Sequence, residues 1–221
     1  MALRDRILPK YTLGEELWNS ITHGIGGALG VVSLVLCLLV TIPAKNVWGT
    51  VSAIIYSITL IILYVNSCVY HGLGKNNGKR VMRIIDHCSI YLLIAGTYTP
   101  YTLVALRRVS PGWGWSIFGV VWSAGILGIV LNAISIERFK VFSMVCYLAM
   151  GWSVIVAISP MLKSIPGNGM LLLLAGGIAY TVGAVFYGLG AKKRYRHSVF
   201  HVFVLIGSVL HFLSIYFYVL Q

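Results

Sequence analysis

Apolar residues fall in long blocks along this chain, separated by short polar or basic stretches. Crossing about 30 Å of hydrocarbon takes roughly 20 apolar residues as a helix. Seven such blocks can be drawn, at approximately 18–42, 47–71, 84–106, 112–133, 139–159, 169–189 and 197–220. They use nearly all of the 221 residues, so the pattern predicts an all-α, polytopic chain: one seven-helix transmembrane domain over 1–221 with a short amphipathic start at about 1–17. Local signals mark the block ends. Thr12 and Glu15 form a capping box that starts the first helix near Leu13. Pro43 closes the first span, and Ser110 with Pro111 opens the fourth as N-cap and first helical residue. Trp48, Trp113 and Trp115 mark one interface. Pro100, deep in the third span, predicts a kink that neighbouring Thr97 and Thr99 can compensate. Gly26 and Gly30 make a small-xxx-small pair suited to close helix packing.

Composition agrees with this reading and charge adds an orientation. The chain is 58% apolar and only 10% charged, far below the usual quarter of charged residues in a soluble domain. The net charge of +12 would suit nucleic acid if it were spread over the chain, but thirteen of the seventeen basic residues fall on one side of the seven-span drawing. They lie in the N-terminus (Arg4, Arg6, Lys10) and in the loops at 72–83, 134–140 and 190–196, Lys192 and Lys193 among them. The positive-inside rule then puts the N-terminus in the cytoplasm and the C-terminus outside, in a multi-pass protein of the cell membrane. Its expected partners are membrane lipids, with no nucleic acid. The first nineteen residues lack an apolar h-region and are not read as a signal peptide. Cys37, Cys68, Cys88 and Cys146 lie inside apolar blocks without CxxC spacing, against both a disulfide framework and a thiolate zinc site.

Against this apolar background one polar constellation stands out. Ser67 and His71 lie four apart on one helical face at the end of the second span, and Asp86 follows the next loop at about the same depth. His197 and His201, again four apart, begin the seventh span. Intramembrane ionisable residues are expensive to bury and mark function by default. Three imidazoles suit zinc in a site with three protein ligands and one open position. His71, His197 and His201 are the metal candidates. Asp86 is either the base that orients and deprotonates a water or a fourth ligand, and Ser67 assists by a hydrogen bond. Against these stand two plainer readings: histidines that only hydrogen-bond inside the bundle, and an Asp86 that only pairs with Arg83. Glu16, Asn19 and His23 share one face at the start of the first span and read as an interhelical hydrogen-bond face. His87 projects about 100° away from Asp86 and reads as support or packing. His211 lies about 20 Å beyond His197 along the helix and cannot join the same site. The fourth, fifth and sixth spans read as wall.

The segments EELWNSITHGIGG, SCVYH, DHCSIYLLIAGTYTP and HSVFH together resemble the hemolysin III family, the bacterial branch of the progestin and adipoQ receptor superfamily. The resemblance runs from Glu15 into the seventh span. It implies seven helices, a cytoplasmic N-terminus and a zinc ion near the cytoplasmic face. By motif position the ion falls to His71, His197 and His201, with Ser67 and Asp86 beside it. Relatives similar to lipid receptors with ceramidase-type amide hydrolysis imply a zinc-dependent hydrolase of acyl lipid amides or esters acting in membrane lipid homeostasis. The alternatives are a non-catalytic homeostasis or sensor protein with a structural zinc site, and a pore-forming cytolysin. A retinal protein is excluded because every lysine lies in a tail or loop, and a G-protein-coupled receptor because its topology is the reverse.

Overall fold

The computed structural model describes residues 7–189 and 194–221. Arg4, Arg6, Lys192 and Lys193, four of the residues behind the orientation argument, lie outside the described residues. Seven helices are long and apolar enough to cross a membrane: α1 (Leu13–Thr41), α2 (Val47–Gly72), α3 (Asn77–Val109), α4 (Pro111–Ile134), α5 (Ile136–Ser164), α6 (Gly167–Gly188) and α7 (Arg196–Tyr218). No strand occurs among the described residues. The protein is thus an all-helical, multi-pass membrane protein, as the apolar blocks predict.

Capping explains the helix ends that differ from the hydropathy boundaries. Thr12 Oγ1 accepts from the Glu15 backbone N–H at 3.3 Å, and the Thr12 N–H donates to Glu15 Oε2 at 2.8 Å, so α1 starts at Leu13, five residues before its apolar block. Asn76 Oδ1 accepts from the Lys79 N–H at 2.8 Å, so α3 starts at Asn77. Lys79, Arg80 and Arg83 therefore sit on the first turns of α3 rather than in a loop.

Each helix packs mainly on its chain neighbours, and α7 closes the ring against α1. The centre belongs to α3, which touches α2, α4 and α5. Of its most apolar window 83% is buried, against half or less for every other span. Gly26 and Gly30 seat α1 on α2: a Cβ at Gly26 would strike the Tyr64 ring, and one at Gly30 would meet Ile61. Pro100 does not end α3. The helix passes through one wide π-helical turn, Tyr101–Leu106, while Thr99 Oγ1 donates to the Ala95 carbonyl at 2.9 Å and Thr102 Oγ1 to that of Tyr98 at 2.8 Å. These hydroxyls meet the carbonyls of Ala95 and Tyr98 and not that of Gly96, the one Pro100 leaves without its helical N–H, so the expected compensation by Thr97 and Thr99 is not what is seen; the helix instead widens into the π turn.

The fifth helix carries a break that its apolar sequence does not announce. Regular α-helix stops at Gly151, and Ser153–Ala157 forms a tighter 3-10 segment before α-helix resumes. Tyr98 of α3 serves both sides of the break: its hydroxyl donates to the Gly151 carbonyl at 2.7 Å and accepts from the Val154 N–H at 3.1 Å. Beside it, Trp152 Nε1 donates to Thr181 Oγ1 of α6 at 2.9 Å. The contact between α5 and α6 is otherwise sparse, and a cavity lies behind it. None of the four cysteines, all among the described residues, is in a disulfide.

Candidate metal centre

The basic end of the bundle brings together three imidazoles that are 126 and four residues apart in sequence. His71 ends α2, and His197 and His201 occupy successive turns of α7. One ring nitrogen of each lies within 4.8 Å of the other two. His197 Nε2 is 3.3 Å from His71 Nε2 and 3.0 Å from His201 Nε2. His71 and His201 are almost completely buried.

These separations fit a metal ion. Tetrahedral Zn–N bonds of about 2.0–2.1 Å place two ligand nitrogens about 3.3–3.4 Å apart. The proton on His71 is also directed elsewhere. Its Nδ1–H donates to Glu16 Oε2 at 2.6 Å, which leaves Nε2 as a lone pair facing the triad. A carboxylate behind a ligating histidine fixes its tautomer and raises its basicity. Glu16 is held in turn by Lys79, whose Nζ donates to Oε1 at 2.7 Å and to the Leu73 carbonyl at 2.9 Å. Lone pairs converging at about 3 Å repel one another, and a cation at their focus removes the repulsion. The residues present therefore suit a divalent ion with imidazole ligands.

Asp86 and Ser67 line the same cavity. Asp86 falls outside the converging triad; its carboxylate Oδ2 is 3.5 Å from His87 Nδ1. Arg83, its other imagined partner, turns to Glu137 Oε1 at 2.6 Å and to the carbonyl of Ile7 at 2.9 Å. His87 has a supporting position: Nδ1 donates to the Arg83 carbonyl at 2.9 Å, and Nε2 lies 3.3 Å from the Tyr187 hydroxyl.

Ser67, Asp86, His197 and His201 line one end of a partly open, mainly apolar cavity with about 1120 Å³ of empty space counted out to its mouth. Thr97, Tyr98, Trp152 and Gly177 lead away from them, and His211 lines its far reach. His211 is not part of the triad, as its height on α7 predicts, and its Nε2 donates to the Leu173 carbonyl at 3.0 Å. Helices α5 and α6 face the same space through Tyr147, Trp152, Tyr180 and Tyr187.

Tyr11, just before α1, is a contact that spacing did not suggest. Its ring stacks on His197, with centroids 5.0 Å apart and planes at 13°, and it also approaches His71. Burial, with Tyr70, Tyr187, Glu16 and Asp86 nearby, pushes its phenol well above the usual range, so it stays protonated. His23 stacks on His201 with centroids 3.7 Å apart and planes at 22°. The only sequence signal was the shared face of Glu16, Asn19 and His23.

Comparisons with known proteins extend over almost the whole chain. The profile of the family described as haemolysin-III related matches residues 11–212. Hemolysin-3 of Bacillus cereus is 39% identical over 206 residues, covering 93% of this chain and 92% of that protein. Human monocyte to macrophage differentiation factor is 27% identical over 216 residues, covering 95% of this chain and 86% of its own length. The rice heptahelical transmembrane protein ADIPOR2 is 27% identical over 153 residues, covering 59% of this chain and 65% of its own. Seven membrane-crossing helices, a histidine triad fit for a metal, and a family match over almost the whole chain lead to one conclusion: this protein belongs to the hemolysin III family, related to the adiponectin receptors.

Proposed function

We propose that the protein is a zinc-dependent hydrolase of the cell membrane that cleaves an acyl lipid amide or ester and so acts in membrane lipid homeostasis. The observation that carries this reading is the junction of the triad with the cavity. Ligand-grade imidazoles, a carboxylate and a hydroxyl gather at one end of a long apolar space suited to an acyl chain. A pocket that is mostly apolar with a few converging polar groups is the usual form of a small-molecule site.

His71, His197 and His201 would hold the ion, with Glu16 keeping His71 in the ligating tautomer. When bound, a zinc ion supplies Lewis acidity towards a carbonyl and makes a hydrolytic water acidic near neutral pH. Asp86 accepts the proton of the attacking water as its oxygen bonds to the acyl carbon. Asp86 then returns that proton to the departing amine or alcohol as the C–N or C–O bond breaks. The Ser67 hydroxyl donates a hydrogen bond to the carbonyl oxygen as negative charge develops there. The cavity wall holds the chain and excludes bulk water.

The test is hydrolysis of N-acyl sphingoid and acyl ester lipids by purified protein in nanodiscs, alongside His197→Ala and Asp86→Ala. Release of fatty acid by wild type, lost in both variants, supports the reading. Turnover undiminished in either variant would sink the mechanism. A structural metal that only ties α2 and α7 together is the second reading, favoured by the burial of His71 and His201. Chelation that lowers thermal stability, with no lipid turned over, would select it. The name of the Bacillus cereus relative suggests cytolysis, and dye-loaded liposomes that leak after reconstitution would favour that role.

A further inference from the structure

The first helix contributes no candidate ligand, yet a residue from it or from its lead-in touches each of the three. Tyr11 lies face to face with His197 at 5.0 Å and 13°. Glu16 Oε2 accepts a hydrogen bond from His71 Nδ1–H at 2.6 Å. His23 lies face to face with His201 at 3.7 Å and 22°. The correspondence is one brace to one ligand.

We infer that Tyr11, Glu16 and His23 are positioning residues that set the ring planes of the three ligands, making α1 the outer shell of the metal centre. The inference rests on the metal reading of the triad and extends it to a helix outside the ligand set.

An imidazole bonds a metal through a lone pair in its own plane, so rotation of the ring about its side-chain torsions misdirects the bond. The α-helix positions of His197 and His201 fix where the side chains leave the backbone, not how the rings are turned. A flat neighbour packed on the face removes that rotation, and a carboxylate on the far edge removes it for His71. The geometry of His23 agrees with a role played by its face, which lies on His201 while both ring nitrogens are buried. That ring is backed edge-on by Tyr64, with centroids 4.9 Å apart and planes at 85°. Tyr64 is in turn fixed by its hydroxyl donating to Ser208 Oγ at 2.8 Å and by Gly26, whose missing side chain lets α1 lie on the ring. Tyr11 is held in register by the lead-in: Arg83 grips the Ile7 carbonyl, and the Thr12 capping box starts the helix beside it.

The experiment uses full-length protein in nanodiscs, stripped of metal and titrated with Zn²⁺ against a competing fluorescent chelator. The visible spectrum of the Co²⁺ form is the second readout. Tyr11→Leu and His23→Leu are each expected to weaken Zn²⁺ binding by about 10–100-fold, the usual effect of losing an outer-shell partner. Each should also alter the Co²⁺ bands. Tyr11→Phe and His23→Phe keep a flat face and should stay within about threefold of wild type with its spectrum. Because Glu16→Ala strands the buried Lys79, it is made together with Lys79→Met, and this pair is expected to bind as weakly as the leucine variants. Leucine variants with wild-type affinity and spectrum, or phenylalanine variants as weak as the leucines, would overturn the inference and leave the metal reading standing. Wild-type protein that takes up neither ion would overturn both.

Discussion

Glu16 stands between His71 and Lys79, 2.6 Å from the Nδ1 of one and 2.7 Å from the Nζ of the other. One carboxylate from α1 thus joins the end of α2 to the start of α3 and settles which nitrogen of His71 faces inward. Lys79 is 3% exposed and depends on this partner, with the Leu73 carbonyl as its other acceptor.

Glu16→Ala is therefore expected to destabilise the protein by roughly 3 kcal/mol, the scale for stranding one member of a buried pair. The thermal unfolding midpoint in detergent reads this out. Adding Lys79→Met should recover most of the loss, since the apolar isostere needs no counter-charge. A double variant as unstable as the single one would show that the pair itself is not what holds these helix ends.

Asp86 lies outside the converging triad, so the proposal assigns metal binding and proton transfer to different residues. Purified wild type is expected to carry about one zinc per chain, the number one triad can hold. Asp86→Asn should keep it and His197→Ala should lose it, as measured by elemental analysis. Loss of metal in Asp86→Asn would make Asp86 a fourth ligand instead of a proton acceptor.

Tyr98 meets two polar groups at the break in α5, the Gly151 carbonyl and the Val154 N–H. Removing its hydroxyl in Tyr98→Phe leaves the Gly151 carbonyl and the Val154 N–H without it, at an expected cost of about 1–3 kcal/mol. Hydrogen exchange should quicken at Val154 while α1 and α2 stay as protected as in wild type. Unchanged exchange at Val154 would show that the break is held by other means.

Gly26→Val places two methyl groups where the Tyr64 ring lies. Overpacking of this kind costs about 1–3 kcal/mol. Because Tyr64 backs His23, the variant should also weaken Zn²⁺ retention against a chelator. An equally stable variant would mean that α1 can shift on α2 without disturbing the site.

The triad was legible because helical period and membrane depth are written into spacing. Ser67 with His71, and His197 with His201, are each four apart; the first pair ends the second apolar block and the other begins the seventh, which puts both at one membrane level. The face of Glu16, Asn19 and His23 was visible too, but not what it faced. Spacing within one helix says which residues share a face and nothing about the helix opposite. Tyr11 gave no signal, because the segment before a helix has no period to read. Helices α5 and α6 read as wall because apolar length does not reveal a break: Gly151 looks like any membrane glycine until Tyr98 is beside it.

Apolar length and motif spacing were enough for seven spans and the family, and they singled out the three histidines that converge. Solvation explains why: the cost of exposing backbone to lipid makes each long apolar block a helix, and the cost of burying charge makes each exception conspicuous. Helix packing in three dimensions was needed to show that three Nε2 atoms converge at 3.0 and 3.3 Å, that Asp86 lies outside them, that α1 and its lead-in set a side chain against each of the three imidazoles, and that an apolar cavity runs from the triad towards His211. Those facts depend on how the helices are rotated and stacked, which is set by contacts such as Gly26 on Tyr64 between residues distant in the chain.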